Sequence, residues 1–203
     1  MSKYLGPLWK KSRALGFSLL ENKKEFSRGK KRTAPPGQHG SDRKRRQSTY
    51  ALQNKEKQKI LRLYGLREKH LNKLFTNLKK HKENIGDNLL IKCESRLDNL
   101  VFRSGLVGTR GCARQLVSHG HFSVDGQKVK SPSYQVEPGQ VITLRKEAMI
   151  ENKIVKSSLE QNIKVPSYLN FDKQNLIINY VRLPLSAELN KDIDTSLVVE
   201  WYQ

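Results

Sequence analysis

The chain has 203 residues, 39 Lys plus Arg against 19 Asp plus Glu, a formal net charge of +20, and 36% apolar side chains. That apolar share is enough for a hydrophobic core and excludes wholesale disorder, while the positive surplus calls for a polyanionic partner. The longest aliphatic runs, such as Leu89-Leu90-Ile91 and Leu197-Val198-Val199, are three residues, far shorter than the roughly 20 apolar residues of a membrane helix.

The first 13 residues lack the apolar stretch of about 7 to 15 residues that a secretory signal requires, so export is not expected. Cys93 and Cys112 stand 19 apart with no Cys-x-x-Cys, and both read as reduced core thiols. Residues 1–50 hold 14 basic and 3 acidic side chains, and residues 51–93 hold 11 and 4. Residues 94–155 hold 9 and 6, and residues 156–203 hold 5 and 6. This gradient favours nucleic acid over a membrane surface, because no segment with a large apolar face accompanies the charge.

Residues 1–47 form a basic N-terminal lobe or arm, rich in Gly and Pro and carrying Lys30-Lys31-Arg32 and Arg43-Lys44-Arg45-Arg46. Tyr4, Trp9, Phe17 and Phe26 lie among its charges, either to stack on unpaired bases or to fill a small core. Ser48 or Thr49 caps a helix that Gly65 ends. Leu71, Leu74, Phe75 and Leu78, at i, i+3, i+4 and i+7, predict a second helix. Leu90, Cys93, Leu97, Leu100 and Val101 predict a third, running from about Asp87 to Ser104 with Arg96 and Asp98 off its apolar stripe. Thr109 caps a short helix through Ser118, where Arg110 and Arg114 are either a phosphate clamp or ordinary surface arginines.

Phe122 and Val124 alternate with polar residues, Asp125-Gly126 makes a hairpin turn, and Val129 begins the return strand. Extended runs flank Pro138-Gly139, and a helical connection is expected at about 147–161. Tyr168–Phe171 and Leu176–Leu183 read as strands, Leu185–Ile193 as a short helix capped by Ser186, and Leu197–Trp201 as a final extended segment.

Phosphate-loop, nucleophile-elbow and zinc-protease motifs are absent from the sequence. Of the five histidines, His39, His70, His81, His119 and His121, only His119-Gly120-His121 forms a close pair, which reads as a turn rather than a metal site. Arg96-Leu97-Asp98 resembles the tripeptide that bears the catalytic aspartate of pseudouridine synthases. No catalytic constellation accompanies it, and Asp98 is expected to orient an arginine or cap a turn.

Ser95-Arg96-Leu97-Asp98-Asn99, Arg103, Gly105, Thr109-Arg110, Ala113-Arg114-Gln115-Leu116-Val117, His119-Gly120-His121, Val124-Asp125-Gly126 and Ser133-Tyr134 together resemble the S-four RNA-binding fold. The flanks narrow the resemblance. Tyr4-Leu5-Gly6-Pro7, Ser12-Arg13, Pro36-Gly37-Gln38-His39-Gly40, Glu56-Lys57-Gln58-Lys59, Tyr64-Gly65 and Leu197-Val198-Val199-Glu200-Trp201-Tyr202 are similar to the bacterial-type S-four family of small-subunit ribosomal proteins. The sequence departs from the branch of that family that holds zinc through N-terminal cysteines, since residues 1–92 contain no Cys.

The resemblance implies an α+β chain with four parts: the arm (1–47), a mostly helical region (48–93), an inserted S-four RNA-binding domain of two helices and a small antiparallel sheet (94–155), and a C-terminal α/β segment (156–203) packing back on the helical region. It implies a non-enzymatic constituent of a cytoplasmic ribosome, an organellar one being left open, with no cofactor and no metal. Its partners would be the 5′ domain of 16S rRNA, mRNA where it enters the subunit, and ribosomal protein S-five, with a part in decoding accuracy. The rRNA contacts are expected from Lys3, Lys10, Lys11, Arg13, Lys57, Lys59, Arg96, Arg103, Thr109, Arg110, Arg114, Gln115, His119 and Lys128. Arg43, Lys44, Arg45 and Arg46 are expected along the mRNA path. The alternatives are an RNA-modifying enzyme with Asp98 as nucleophile, a stress-response ribosome-binding protein using the same module, and a nucleoid-like DNA binder.

Overall fold

The structure, a computed structural model, describes residues 4, 6–27, 33–40, 42, 46–80, 84–145, 155, 158 and 165–203. The chain divides into two compact units, Met1–Gly86 with Asn190–Gln203, and Asp87–Leu189. The first holds 25 basic and 9 acidic side chains and the second 14 and 10, so most of the surplus charge belongs to the first.

In the first unit, α1 (Leu8–Leu15) ends where Gly16 turns left-handed, and a 3₁₀ turn follows at Lys24–Phe26. The N-terminal lobe is therefore more regular than its composition implies, because Ser12 is buried at its centre. Its carbonyl accepts from the Phe17 amide and its Oγ from the Leu19 amide, drawing Phe17 and Leu19 into a small core. Phe17 thus fills that core, whereas Trp9 and Phe26 stay exposed.

Helix α2 (Thr49–Leu63) starts at Ser48, whose side chain accepts from the Ala51 amide, and Gly65 follows it at a positive φ of 60°. Helix α3 (Glu68–Lys79) buries Leu71 and Phe75. Helix α4 (Ile85–Glu94) carries the chain into the second unit, and the chain returns to the first through α7 (Thr195–Tyr202).

Helix α7 corrects the expected extended segment at Leu197–Trp201. Three consecutive aliphatic residues carry no period of their own, and Asp194 decides the matter by capping the Ser196 and Leu197 amides. The new helix packs on α2 and α3. Trp201 lies 4.7 Å from the Tyr50 ring, Tyr202 stacks on Phe75 at 4.7 Å, and Val198 is fully buried.

In the second unit, the single helix expected from Asp87 to Ser104 is two, α4 and α5 (Leu97–Arg103). The break has a tertiary cause. Arg96 forms a β-bridge with Gln135, the Val136 amide donates to the Ser95 carbonyl, and the Leu97 and Asp98 amides donate to Tyr134 and Pro132. Those backbone groups are taken by a strand-like segment and cannot serve a continuous helix. Helix α6 (Arg110–Ser118) is capped by Thr109, whose hydroxyl accepts from the Cys112 amide.

The described strands are β1 (Phe122–Val124), β2 (Gln127–Val129), β3 (Val141–Leu144), β4 (Leu169–Asp172) and β5 (Ile177–Tyr180). They form one antiparallel sheet in the order β2-β1-β3-β5-β4. The Asp125-Gly126 turn has both residues at positive φ, 48° and 80°, the twist a two-residue hairpin needs. Val129 ends the return strand rather than beginning it, and before Pro138 only Gln135 pairs.

Strands β4 and β5 join the sheet while residues 190–203 complete the first unit, so residues 156–203 are shared between the two bodies. The helix expected over Leu185–Ile193 is only a 3₁₀ turn, Ser186–Glu188, with the Glu188 carboxylate rather than Ser186 accepting the Leu185 amide. In the expected connection at 147–161, Val155 and Ser158 are helical, and the remainder lies outside the described residues. The core of the second unit joins Leu97, Leu100 and Val101 of α5 to Ala113 and Val117 of α6 and to Phe122, Ile142, Ile178 and Tyr180 of the sheet.

Candidate nucleic-acid interface

The helix break sets the chemistry of the second unit. Arg96 and Asp98, expected on the outside of a helix, are 4% and 5% exposed. The Arg96 guanidinium donates to Asp98 from Nε at 3.0 Å and from one Nη at 2.7 Å. Arg114 comes up from α6 to 3.9 Å from the same carboxylate. Burial lowers the Arg114 pKa and Asp98 opposes the change, so a carboxylate at this point helps keep a half-buried arginine charged. Asp98 thus orients arginines, one of the two roles expected of it.

A second buried carboxylate lies four residues earlier, on the other side of the helix break. Glu94 is 2% exposed, and Arg103 donates to it in a fork, Nε at 3.0 Å and Nη at 2.8 Å. The Asn99 amide nitrogen donates to the Glu94 carboxylate at 2.5 Å and to its carbonyl at 3.0 Å, and the Tyr168 hydroxyl donates at 3.2 Å. Burial and the Glu94 charge push the Tyr168 hydroxyl well above its ordinary pKa, so it remains a donor. The Asn99 carbonyl accepts from Arg110 Nε at 2.8 Å, and the Arg110 guanidinium lies 4.4 Å from the Phe102 ring centre. Arg103, Arg110 and Arg114 are therefore held from beneath by two carboxylates, one amide and one aromatic ring. The arginines come from α5 and α6, and the groups that hold them from α4 and α5.

In the same unit Thr109, Gln115, His119 and Lys128 are exposed. The His119 and His121 rings lie 6.0 Å apart. Among the described residues, no group of three or more His, Cys, Asp or Glu could hold a metal ion. Cys93 is fully buried as expected, and burial pushes its thiol up to about 12. Cys112, near the start of α6, is half-buried and packs against the edge of the second unit's core.

In the first unit, Lys57 and Lys59 serve the fold. Lys57 Nζ sits 2.6 Å from Glu68 and 3.9 Å above the Trp201 ring. Lys59 Nζ is 2.7 Å from Glu56 and donates to the Asp192 carbonyl at 2.9 Å. Lys10 and Arg46 are exposed, Lys11 and Arg13 partly so, with Arg13 donating to the Ala34 carbonyl at 3.2 Å. Lys3, Arg43, Lys44 and Arg45 lie outside the described residues. Sequence reasoning missed Glu94, Asn99, Phe102 and Tyr168. Glu94 carried a readable signal, as a polar residue one turn after Leu90 beside the apolar stripe, whereas nothing local marks Asn99 or Tyr168.

Among the described residues, no helix is long and apolar enough to cross a membrane. Family comparison matches residues 3–94 to the ribosomal protein S4/S9 N-terminal domain and residues 95–142 to the S4 domain. The chain is 49% identical over 204 residues to small ribosomal subunit protein uS4 of Mesoplasma florum, covering 100% of this chain and 98% of the relative. It is 46% identical over 202 residues to the protein of that name from Geobacillus stearothermophilus and 50% identical over 203 residues to that from Ligilactobacillus salivarius. Those two matches cover 100% of this chain and 99% of each relative. Two consecutive domain matches and relatives this similar over nearly their whole length establish that the chain belongs to the small ribosomal subunit protein uS4 family.

Proposed function

We propose that this protein is a non-enzymatic constituent of the small ribosomal subunit that binds the 5′ domain of 16S rRNA directly. The observation that carries the proposal is the set of three arginines, Arg103, Arg110 and Arg114, fixed by buried partners beside a capped helix start. Guanidinium groups held in place meet phosphates at a smaller cost in side-chain ordering than mobile ones. With them go the exposed Thr109, Gln115, His119 and Lys128 of the same unit, and Lys3, Lys10, Lys11 and Arg13 in the N-terminal lobe. Arg96, Lys57 and Lys59 act indirectly in this reading, by holding the frame. Recognition is of RNA shape and phosphate position rather than of base edges in a deep groove.

The finer reading gives Arg43, Lys44, Arg45 and Arg46 to the mRNA path and a face of the less basic C-terminal portion to ribosomal protein S-five, in a cytoplasmic ribosome. The family membership and the charge gradient support this assignment. The rival reading, an RNA-modifying enzyme with Asp98 as nucleophile, is disfavoured because that carboxylate is buried against Arg96.

Competition binding tests the proposal. The full chain is offered the 5′ domain of 16S rRNA, with tRNA and duplex DNA as competitors, at about physiological salt. The expected result is a preference of roughly a hundredfold for the rRNA domain, and equal affinity for all three would overturn it.

A further inference from the structure

The Asn99 side chain is a terminal amide, one end of which donates and the other accepts. Its nitrogen faces two oxygens of Glu94, the carboxylate at 2.5 Å and the backbone carbonyl at 3.0 Å. The carboxylate oxygen also accepts from Arg103 Nε and the Tyr168 hydroxyl, so both oxygens meet Asn99 as acceptors. The opposite orientation would set the Asn99 oxygen against both, so the amide is fixed with its oxygen toward Arg110 Nε, 2.8 Å away. The Phe102 ring supports the same guanidinium from one face. Nε and one face together define the plane of the group, and hence the plane in which its Nη atoms lie.

We propose that Asn99, oriented by Glu94, is a positioning residue that presets Arg110 for an RNA phosphate. The inference rests on the RNA-binding reading above and adds to it the origin of part of the affinity. Asn99 contributes no charge to the interface. It removes rotamer freedom that Arg110 would otherwise lose on binding, an ordering cost worth about three- to tenfold in affinity. The same helix thus serves two ends, its apolar side the core and its Asn99 side the arginine of a neighbouring helix.

The test is a double-mutant cycle in the full chain, with Asn99→Ala, Arg110→Ala and both together, binding an in vitro transcript of the 16S 5′ domain over a range of salt. Asn99→Ala is expected to weaken binding about three- to tenfold with the salt slope unchanged. Arg110→Ala is expected to weaken binding and lower the slope by about one. In the Arg110→Ala background, Asn99→Ala should have no further effect, which a merely structural role would not produce. An equal loss in both backgrounds, or no loss at all, overturns the proposal. If Arg110→Ala itself leaves affinity and slope untouched, the failure belongs to the RNA-binding reading of this face. Phe102→Leu removes the other support while leaving Glu94 and Asn99 in place. It should give the same signature, affinity lost and slope kept, and serves as the measurement if Asn99→Ala does not fold.

Discussion

Replacing Asp98 by Ala should destabilise the second unit severely, because it leaves Arg96 buried without its counter-charge. The Arg96 side chain is 5% exposed and the Asp98 side chain 7%, with two charge-assisted hydrogen bonds of 2.7 and 3.0 Å between them. Removing one partner of such a pair costs about 3–5 kcal/mol, most of it the cost of an uncompensated buried charge. For a body of about 100 residues this corresponds to a fall in melting temperature of about 12 °C or more. Arg114, 3.9 Å from the same carboxylate, would lose the charge that opposes its burial, which adds to the loss. The control is Arg96→Met with Asp98→Leu, which removes both charges and conserves much of the volume, and should recover most of the lost stability. Urea denaturation of the two variants beside the parent chain measures both quantities. A loss below about 1 kcal/mol for Asp98→Ala, or a double variant no more stable than the single, would refute the reading of Arg96 and Asp98 as a buried, mutually neutralised ion pair.

Three other outcomes are expected. Thr109→Ala removes the hydroxyl that caps α6 and should cost about 1 kcal/mol in chemical denaturation, with Thr109→Ser retaining most of the stability. Glu188 is held down at about 2 by the Arg182 guanidinium, the Ser167 hydroxyl and the Leu185 amide. Its contribution is fully present above its ordinary value of 4.5 and lost as pH falls toward about 2, so Glu188→Gln should flatten the acid limb of the stability curve in that window. An unchanged acid limb would count against the cluster. Cys93 is fully buried and burial pushes its thiol up to about 12, so iodoacetamide should label Cys112 first and Cys93 only on unfolding. Peptide mapping by mass spectrometry reads this directly, and equal labelling of both in the folded protein would contradict the burial.

What could be read from the sequence was whatever depends on near neighbours. Ser48 and Thr109 announce helix starts because a cap satisfies amides two or three residues on, and Asp125-Gly126 announces a hairpin because both positions need positive φ. The helix break at Ser95-Arg96 could not be read, since its cause is the Pro132–Val136 segment about forty residues downstream. For the same reason Arg96 passed for an exposed cation. Its burial depends on a carboxylate two residues away that only the break turns toward it. Leu197-Val198-Val199 was ambiguous by period, and the Asp194 cap that settles it was there to be read. At the candidate interface the cations were legible from their type and spacing, and Asp98 from its place beside them, but Tyr168, which bonds Glu94 from 74 residues away, was not.

The first unit is closed by a segment 147 positions downstream of its partner, as the Gln53–Glu200 hydrogen bond spans. A chain made from its N-terminus therefore completes the second unit while the first still lacks α7, which covers Lys57 and stacks on Phe75. Contacts so remote in sequence form slowly, and until they form the more basic of the two bodies is an unfinished fold carrying most of the protein's excess charge. RNA present during that interval meets a chain whose final shape is not yet set, and the folding of the protein and the capture of its ligand become a single event.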